Sequence, residues 1–305
     1  MISVVVCTYN RAGTLRQMLE AFFAQRDLAA VNHELIVVDN NSSDNTPVVV
    51  DEFRRFPSLR YVVEERLGLS CARNRGVAEA NGEIVAFLDD DAIVDKGWLV
   101  KLQECFDATT ADVVGGRSYL IFEKHPSDWF GPYFGRLLSQ VDLGQFRKVV
   151  SDGRGLLGLN LSFRRSALVG DAPFDENLGR KGSGLLGGEE TTLVRSIAGS
   201  GGVVVYDPDA VVGHLISADR VEWDYFKRVT RGMGESFALA EPDAGMGTQM
   251  AGVLWGLISV FYRLAAMLWM RLARKSPYER RVSACRLRAK TGFLIGRTKR
   301  LWRSA

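Results

Sequence analysis

Residues 84–91 read IVAFLDDD: five apolar residues, then Asp89, Asp90 and Asp91 in a row. The apolar five suit a strand buried on both faces, short and without alternation. The three carboxylates that follow repel one another and lose solvation where the strand ends. A bare triplet there is costly, and a hard divalent cation offsets the cost. The plain alternative is a solvated acidic loop, which the preceding Phe87-Leu88 disfavours.

Outward from this strand the same grammar repeats. Residues 2–8 (ISVVVCT), 34–38 (ELIVV) and 59–64 (LRYVVE) read as three earlier strands, and 112–116 (DVVGG) as a shorter fifth. Between them, Leu15, Met18, Leu19, Phe22 and Phe23 form a helical stripe behind a cap at Thr14. Thr46-Pro47 opens a second helix. Gly68 and Ser70 start a third that stops near Asn81-Gly82, and a fourth covers 97–106. Strands alternating with helices predict an α/β domain around an open, mostly parallel sheet. In such sheets ligands sit beyond the carboxyl ends of the strands. Thr8-Tyr9-Asn10-Arg11, Asp39 and the acidic triplet all follow directly after strands, so they converge on one rim. Further on, 125–155 reads as a long mobile loop region, 156–164 as a strand, 189–198 as a helix and 203–206 as another strand.

The 305 residues are 47% hydrophobic and 25% charged, an ordinary globular balance. Four scattered cysteines without a CxxC pair predict free thiols, not a zinc site or a disulfide framework. Met1-Ile2-Ser3 runs straight into a strand with no basic leader, so a cytoplasmic location is expected. The net charge of +3 conceals an asymmetry: from Arg271 onward 12 Lys/Arg face one Glu, a net +11, which leaves −8 for the rest. Just before that tail, residues 250–270 are apolar except for Ser259, Tyr262 and Arg263. About 20 residues suffice to cross a bilayer. Arg263 makes crossing costly, by roughly 2.5–3.5 kcal/mol, so a helix lying at the membrane interface fits equally well. The basic tail suits an anionic lipid surface; a buried helix followed by a solvated basic one is the plain alternative. Trp255, Phe261, Tyr262 and Trp269 beside the tail favour a lipid interface, and no specific nucleic-acid partner is expected.

Three stretches carry a resemblance: VVVCTYNRAGTL at 4–15, ELIVVDNNSSDNT at 34–46, and GLSCARNRGVAEANGEIVAFLDDDAIVDKGWL at 68–99. In this order and spacing the chain resembles the family-2 glycosyltransferases of the GT-A fold. The resemblance implies a Rossmann-like GT-A domain at 1–215, with a nucleotide-sugar half (1–116) and an acceptor half (117–215). A helical, membrane-associating region at 216–305 follows. It implies that Thr8, Tyr9, Asn10, Arg11 and Asp39 contact base and ribose, with Arg73 near the phosphates or ribose. Asp91 is assigned to Mn²⁺ or Mg²⁺, Asp89 to the ribose or the metal shell, and Asp90 to the nucleotide side. His214 matches a position that completes the metal or diphosphate site; a buried core histidine is its plain alternative. Gly187-Gly188-Glu189-Glu190 stands where the family carries a Gly-Glu-Asp-like motif. Glu190 is read as the base and Glu189 as its neighbour, with Glu in place of the usual Asp. Asn160 and Gly188 are placed on donor sugar or acceptor, and the glycine-rich 182–188 is read as a lid.

The implied reaction is inverting transfer from a nucleotide-diphosphate sugar, UDP-linked by expectation. The implied acceptor is a hydroxyl of a glycan or lipid-linked acceptor in cell-surface polysaccharide assembly. Two other classes compete. A nicotinamide enzyme needs GxGxxG after the first strand, and CTYNRAG offers one glycine. A non-catalytic, membrane-docked binding protein on the same fold is favoured only by the Glu-for-Asp departure.

Overall fold

The computed structural model describes residues 1–181, 187–241 and 246–304. Residues 182–186, most of the expected lid, lie outside the described residues. The chain divides into two compact units. The first comprises Met1–Ile121, Ser139–Asn177 and Glu189–Ile216; the second comprises Phe122–Leu138, Leu178–Gly188 and Ser217–Ala305.

In the first unit β1 (Ile2–Thr8), β2 (His33–Asp39), β3 (Leu59–Val63) and β4 (Ile84–Asp89) are parallel, in the order β3-β2-β1-β4. Val4 and Val6 of β1 enter the core on one face and Val5 the core on the other, so the near-continuous apolar runs follow from burial on both sides. α1 (Ala12–Phe23), α2 (Thr46–Asp51), α3 (Leu69–Glu79) and α4 (Trp98–Ala108) complete this part of the unit. Gly76 of α3 lies so close to β1 that a Cβ there would meet Val5 Cγ1 at 2.3 Å.

β5 (Ala92–Val94), β6 (Val113–Phe122), β7 (Lys148–Val149), β8 (Asn160–Arg164) and β9 (Val204–Ile216) extend the sheet to nine strands. Here the pairing changes sense. β8 is antiparallel to β4 and β6, and β5 and β7 are antiparallel to β9. The sheet is therefore mixed, parallel through its first four strands only. The expected short strand at 203–206 is the start of a 13-residue strand. Asp207-Pro208 does not end it, because the buried Asp207 carboxylate accepts two hydrogen bonds from Arg147, at 2.9 and 3.1 Å. α1 also begins two residues before the expected cap: Thr14 donates back to the Arg11 carbonyl at 3.2 Å.

α5 (Pro132–Leu137) belongs to the second unit, and α6 (Glu189–Gly199) to the first. The second unit continues with α7 (Trp223–Ala240), α8 (Met246–Leu272) and α9 (Pro277–Ser304). The region expected to be a mobile loop contains α5 and β7, and part of it is held by aromatic packing. Phe134 and Trp129 meet edge to face at 5.0 Å between centroids, and both pack on Phe226, at 5.0 and 5.7 Å. α7 and α9 touch backbone to backbone, since a Cβ on Gly234 would meet the Ala289 carbonyl oxygen at 1.9 Å. α8 packs on α9, and only 6% of its apolar stretch is buried, so it is not a core helix.

Candidate active site

The parallel register brings strand ends together. Thr8 stands opposite Asp39, and Cys7 opposite Asp89. β4 then turns at Asp90-Asp91 into β5, whose Ala92 pairs with His214 of β9. The acidic triplet is thus a turn between two strands, in which Asp90 and Asp91 share Arg11 while Asp89 faces Arg73.

Asp90 points inward. The Thr8 hydroxyl donates to its Oδ2 at 2.8 Å and Arg11 Nη1 to its Oδ1 at 3.0 Å. Asp91 accepts from the same Arg11 nitrogen at 2.7 Å, and its Oδ1 lies 3.2 Å from His214 Nε2. Asp89 is the most exposed of the three, at 35%, and faces Arg73 Nη2 at 3.6 Å. Burial pushes Asp90 up to about 6, against the pull of Arg11, with Asp91 adding to the rise. Arg11 is held charged above its ordinary value, by Asp90 first and then Asp91 against burial.

A second cluster centres on Arg73 of α3, itself 4% exposed. Its guanidinium pairs with the Glu189 carboxylate, lies 3.7 Å from Glu190 Oε2, and stacks 5.6 Å from the Phe174 ring centroid. Gly158 makes this possible: a Cβ there would sit 2.7 Å from Arg73 Nη2 and 3.2 Å from Glu190 Cγ. Burial, then Glu190, pushes Glu189 up to about 8, with Arg73 opposing. Burial opposes charge on Arg73, but Glu189, Glu190 and Asp89 together outweigh it and hold it charged. Both glutamates open α6, where the helix dipole favours carboxylates. Glu190 is the more exposed of the pair, at 17% against 3% for Glu189.

The loop after β1 is fastened to the loop after β2. Asn10 has a left-handed backbone (φ 53°); its N–H donates to Ser42 Oγ at 2.9 Å, and its Oδ1 accepts from Ser43 N–H at 2.7 Å. Asp44 accepts from the first amide of α1, Ala12, at 2.9 Å and from the first amide of α2, Thr46, at 3.0 Å. Asp39 is buried at the end of β2, accepting from Ser42 N–H at 2.8 Å and from the Tyr61 hydroxyl at 2.5 Å. Burial and then Asp39 raise the Tyr61 phenol above its ordinary value. Tyr9 stands 37% exposed on this rim.

Thr8, Asn10, Arg11, Asp39, Asp89, Asp90, Asp91, His214 and Arg73 with its glutamates therefore occupy one end of the first unit. Asn160 and Arg73 are both buried and have partners within the protein. Asn160 is buried and fully engaged: its amide donates to the Ala210 and Arg117 carbonyls at 2.8 and 3.2 Å and accepts from Trp98 Nε1 at 3.0 Å. It ties strands together. Arg73 is buried and faces the carboxylates of Asp89, Glu189 and Glu190. Gly188 takes the left-handed backbone (φ 93°) just before α6. Ser42, Asp44, Tyr61 and Gly158 were not singled out from sequence. The polar run NNSSDNT was the one available signal for the first two.

The sequence model of the family described as Glycosyl transferase family 2 matches residues 3–160, just over half of the chain. The chain is 28% identical over 229 residues to the glucosyl-dolichyl phosphate glucuronosyltransferase of Haloferax volcanii, covering 73% of this chain and 72% of that protein. It is 29% identical over 275 residues to the succinoglycan biosynthesis protein ExoM of Rhizobium meliloti, covering 88% and 84%. Among solved structures it resembles the mannosyltransferase PcManGT from Pyrobaculum calidifontis in complex with GDP-Man and Mn²⁺. The TM-score is 0.61 at 20% identity, covering 100% of this chain and 88% of that one, a likeness that shows the shared GT-A fold. With the mixed sheet, the acidic turn and the paired glutamates in place, the chain belongs to glycosyl transferase family 2 and is a glycosyltransferase.

Proposed function

We propose that this enzyme transfers a sugar from a nucleotide-diphosphate donor, UDP-linked, to a hydroxyl of a glycan or lipid-linked acceptor, with inversion at the anomeric carbon. The acceptor belongs to cell-surface polysaccharide assembly, carried out on the cytoplasmic side of a membrane that the second unit contacts through 250–305. The observation that carries the chemical reading is Arg73. One buried guanidinium lies within 4 Å of the donor-side carboxylate Asp89 and of both glutamates of α6. On this reading the acid that takes a proton stands beside an acid that faces the donor.

The roles follow from position. Asp39 takes the ribose and Tyr9 lies along the base, on loops that the Asn10–Ser42 bonds hold in register. Glu190, the less buried glutamate, removes the acceptor proton. The acceptor oxygen then attacks the anomeric carbon opposite the departing diphosphate, and one displacement inverts the configuration. Arg73 offsets part of the repulsion among its three acids, and burial with the remaining repulsion from Glu190 keeps a proton on Glu189.

A divalent ion fits this donor set. Asp91 offers a carboxylate and His214 an imidazole on adjacent strand ends, and Arg11 already shows that the turn accepts positive charge. Among the described residues no three or more His, Cys, Asp or Glu converge as a cage. That suits Mg²⁺ or Mn²⁺, which take much of their coordination from phosphate oxygens and water. Asp91 and His214 would hold the ion, Asp89 would stand in its outer shell, and the ion would neutralise charge on the leaving diphosphate.

The test is nucleoside diphosphate release with UDP-, GDP- and dTDP-sugars, with Mn²⁺, with Mg²⁺ and in excess chelator. Release with a UDP-sugar that chelator stops, and that Glu190→Gln reduces by more than about 100-fold at unchanged donor affinity, is the expected result. Full turnover by Glu190→Gln would move the base to another residue.

A further inference from the structure

α8 and α9 carry an observation that decides how the membrane is met; the inference rests on the membrane contact proposed above. Met250–Leu272 is long and apolar enough to cross a bilayer by length and composition. Its two sides differ. Gly252, Gly256, Ser259 and Arg263 lie on the half-buried or buried side. Gly252 and Gly256 meet α9 there: ideal Cβ atoms would lie 3.0 Å from Arg297 Cζ and 3.2 Å from Leu294 Cδ1. The exposed side carries Leu254, Trp255, Phe261, Tyr262, Leu268 and Trp269, between 57% and 70% exposed. Arg263, the one charge within 250–270, is therefore on the side away from that apolar face.

The helix beside α8 is basic. Lys290 Nζ lies 4.3 Å from the Trp255 ring centroid, and Arg297 lies against Gly252. α9 is in turn locked to α7. A Cβ on Gly292 would meet the Arg231 carbonyl oxygen at 2.0 Å, and one on Gly296 would meet the Glu235 carbonyl oxygen at 2.8 Å. If α8 crossed the bilayer in this packing, Lys290 and the ion pair of Arg297 with Glu241 would enter hydrocarbon with it, and α7 would follow α9. Charged side chains at that depth are strongly disfavoured. A helix sunk along one face satisfies both sides at once, with the apolar side in acyl chains and the cations at headgroup level.

We propose that α8 lies in the plane of one leaflet of an anionic bilayer, docked by its Leu254–Trp269 face and flanked by the cations of α9, and does not span. Arg271 and Arg274, just past the apolar face, are exposed and extend the positive fringe to the turn before α9.

The test uses the full chain, in membranes of expressing cells and with vesicles of phosphatidylcholine alone or with about a third phosphatidylglycerol. Flotation with the anionic vesicles, weakened by high salt, and release from cell membranes by alkaline carbonate are expected. Phe261→Asp is expected to lower vesicle partition at least about tenfold, while nucleotide-induced thermal stabilisation stays unchanged and shows that it folds. Arg263→Leu is expected to leave partition unchanged, because that side chain does not face lipid. Retention after carbonate, or tighter membrane association of Arg263→Leu, would overturn the in-plane reading and leave the membrane contact standing. No flotation and no membrane fraction would sink the membrane contact itself, and the inference with it.

Discussion

Arg73 answers three carboxylates with one guanidinium, in a place where neither sign of charge is well solvated. Removing one partner from a buried ion pair leaves the other uncompensated, at a cost of about 3–5 kcal/mol. Arg73→Met is expected to lose stability of that order in urea unfolding above about pH 8, where Glu189 is ionised, and less below it, where Glu189 holds its proton. Glu189 gives the complementary test. Its carboxyl is raised from 4.5 to about 8, by burial and then by Glu190. A raised acid binds its proton more tightly in the folded chain, so its contribution is fully present below about 4.5 and is lost as pH rises through about 8. Metal-free protein should therefore lose stability as pH rises between these limits. Glu189→Gln should flatten that slope; an unchanged slope would place the proton elsewhere. Under the proposed function, Mn²⁺ should add thermal stabilisation to that of UDP and Asp91→Asn should keep the fold and abolish the addition, whereas Asp90→Asn should act chiefly through Thr8 and Arg11.

Among elements, Asp44 does the work of two caps. Neither α1 nor α2 is capped by the side chain of its own N-cap residue. Asp44 accepts from the opening amides of both helices, and it also accepts from the Thr46 hydroxyl at 2.6 Å. Burial opposes its ionisation, but these hydrogen bonds outweigh burial and hold it below the ordinary range. A single cap is worth about 0.5–2 kcal/mol. Asp44→Ala is thus expected to cost about 1–4 kcal/mol and to weaken nucleotide binding, since the same loops carry Asn10 and Asp39. Asp44→Asn should cost less, because one acceptor survives. The stability that Asp44 contributes should fade only as pH falls below 3.8. The element scale also marks where sequence reading succeeds. β1 to β4 were readable because burial on both faces forces unbroken apolar runs, and parallel register then carries Thr8, Asp39 and Asp89 to one edge. β9 was not, because Asp207-Pro208 has the composition of a break, and its partners, Arg147 60 residues away among them, are not local. The Arg73–Glu189 pair spans 116 residues, and nothing local to either residue announces the other. The partners of Asn160 are hidden in the same way: nothing beside it in the sequence announces Trp98 or the two carbonyls it bonds.

At the scale of the molecule, charge and apolar surface are unevenly shared. The segment from Arg271 carries a net +11, against −8 for everything before it. The adjoining α8 leaves Phe261 70%, Tyr262 69% and Trp269 59% exposed. Soluble monomers rarely expose contiguous apolar patches larger than a few hundred Å². In buffer without lipid, this face must find another cover, and a second copy of the same face is available at high protein concentration. Positive charge along α9 limits such pairing at low ionic strength and stops limiting it when salt screens it. Sedimentation velocity of the detergent-free protein should therefore show self-association that increases with protein concentration and with salt. Non-ionic detergent or anionic vesicles should reverse it. Salt is the informative variable, because it should act in opposite directions on the two equilibria, weakening attachment to anionic vesicles while strengthening self-association. Phe261→Asp should diminish both. A chain that stays monomeric at high salt without detergent would mean that residues of the second unit cover the α8 face in solution, and that lipid must displace them before docking.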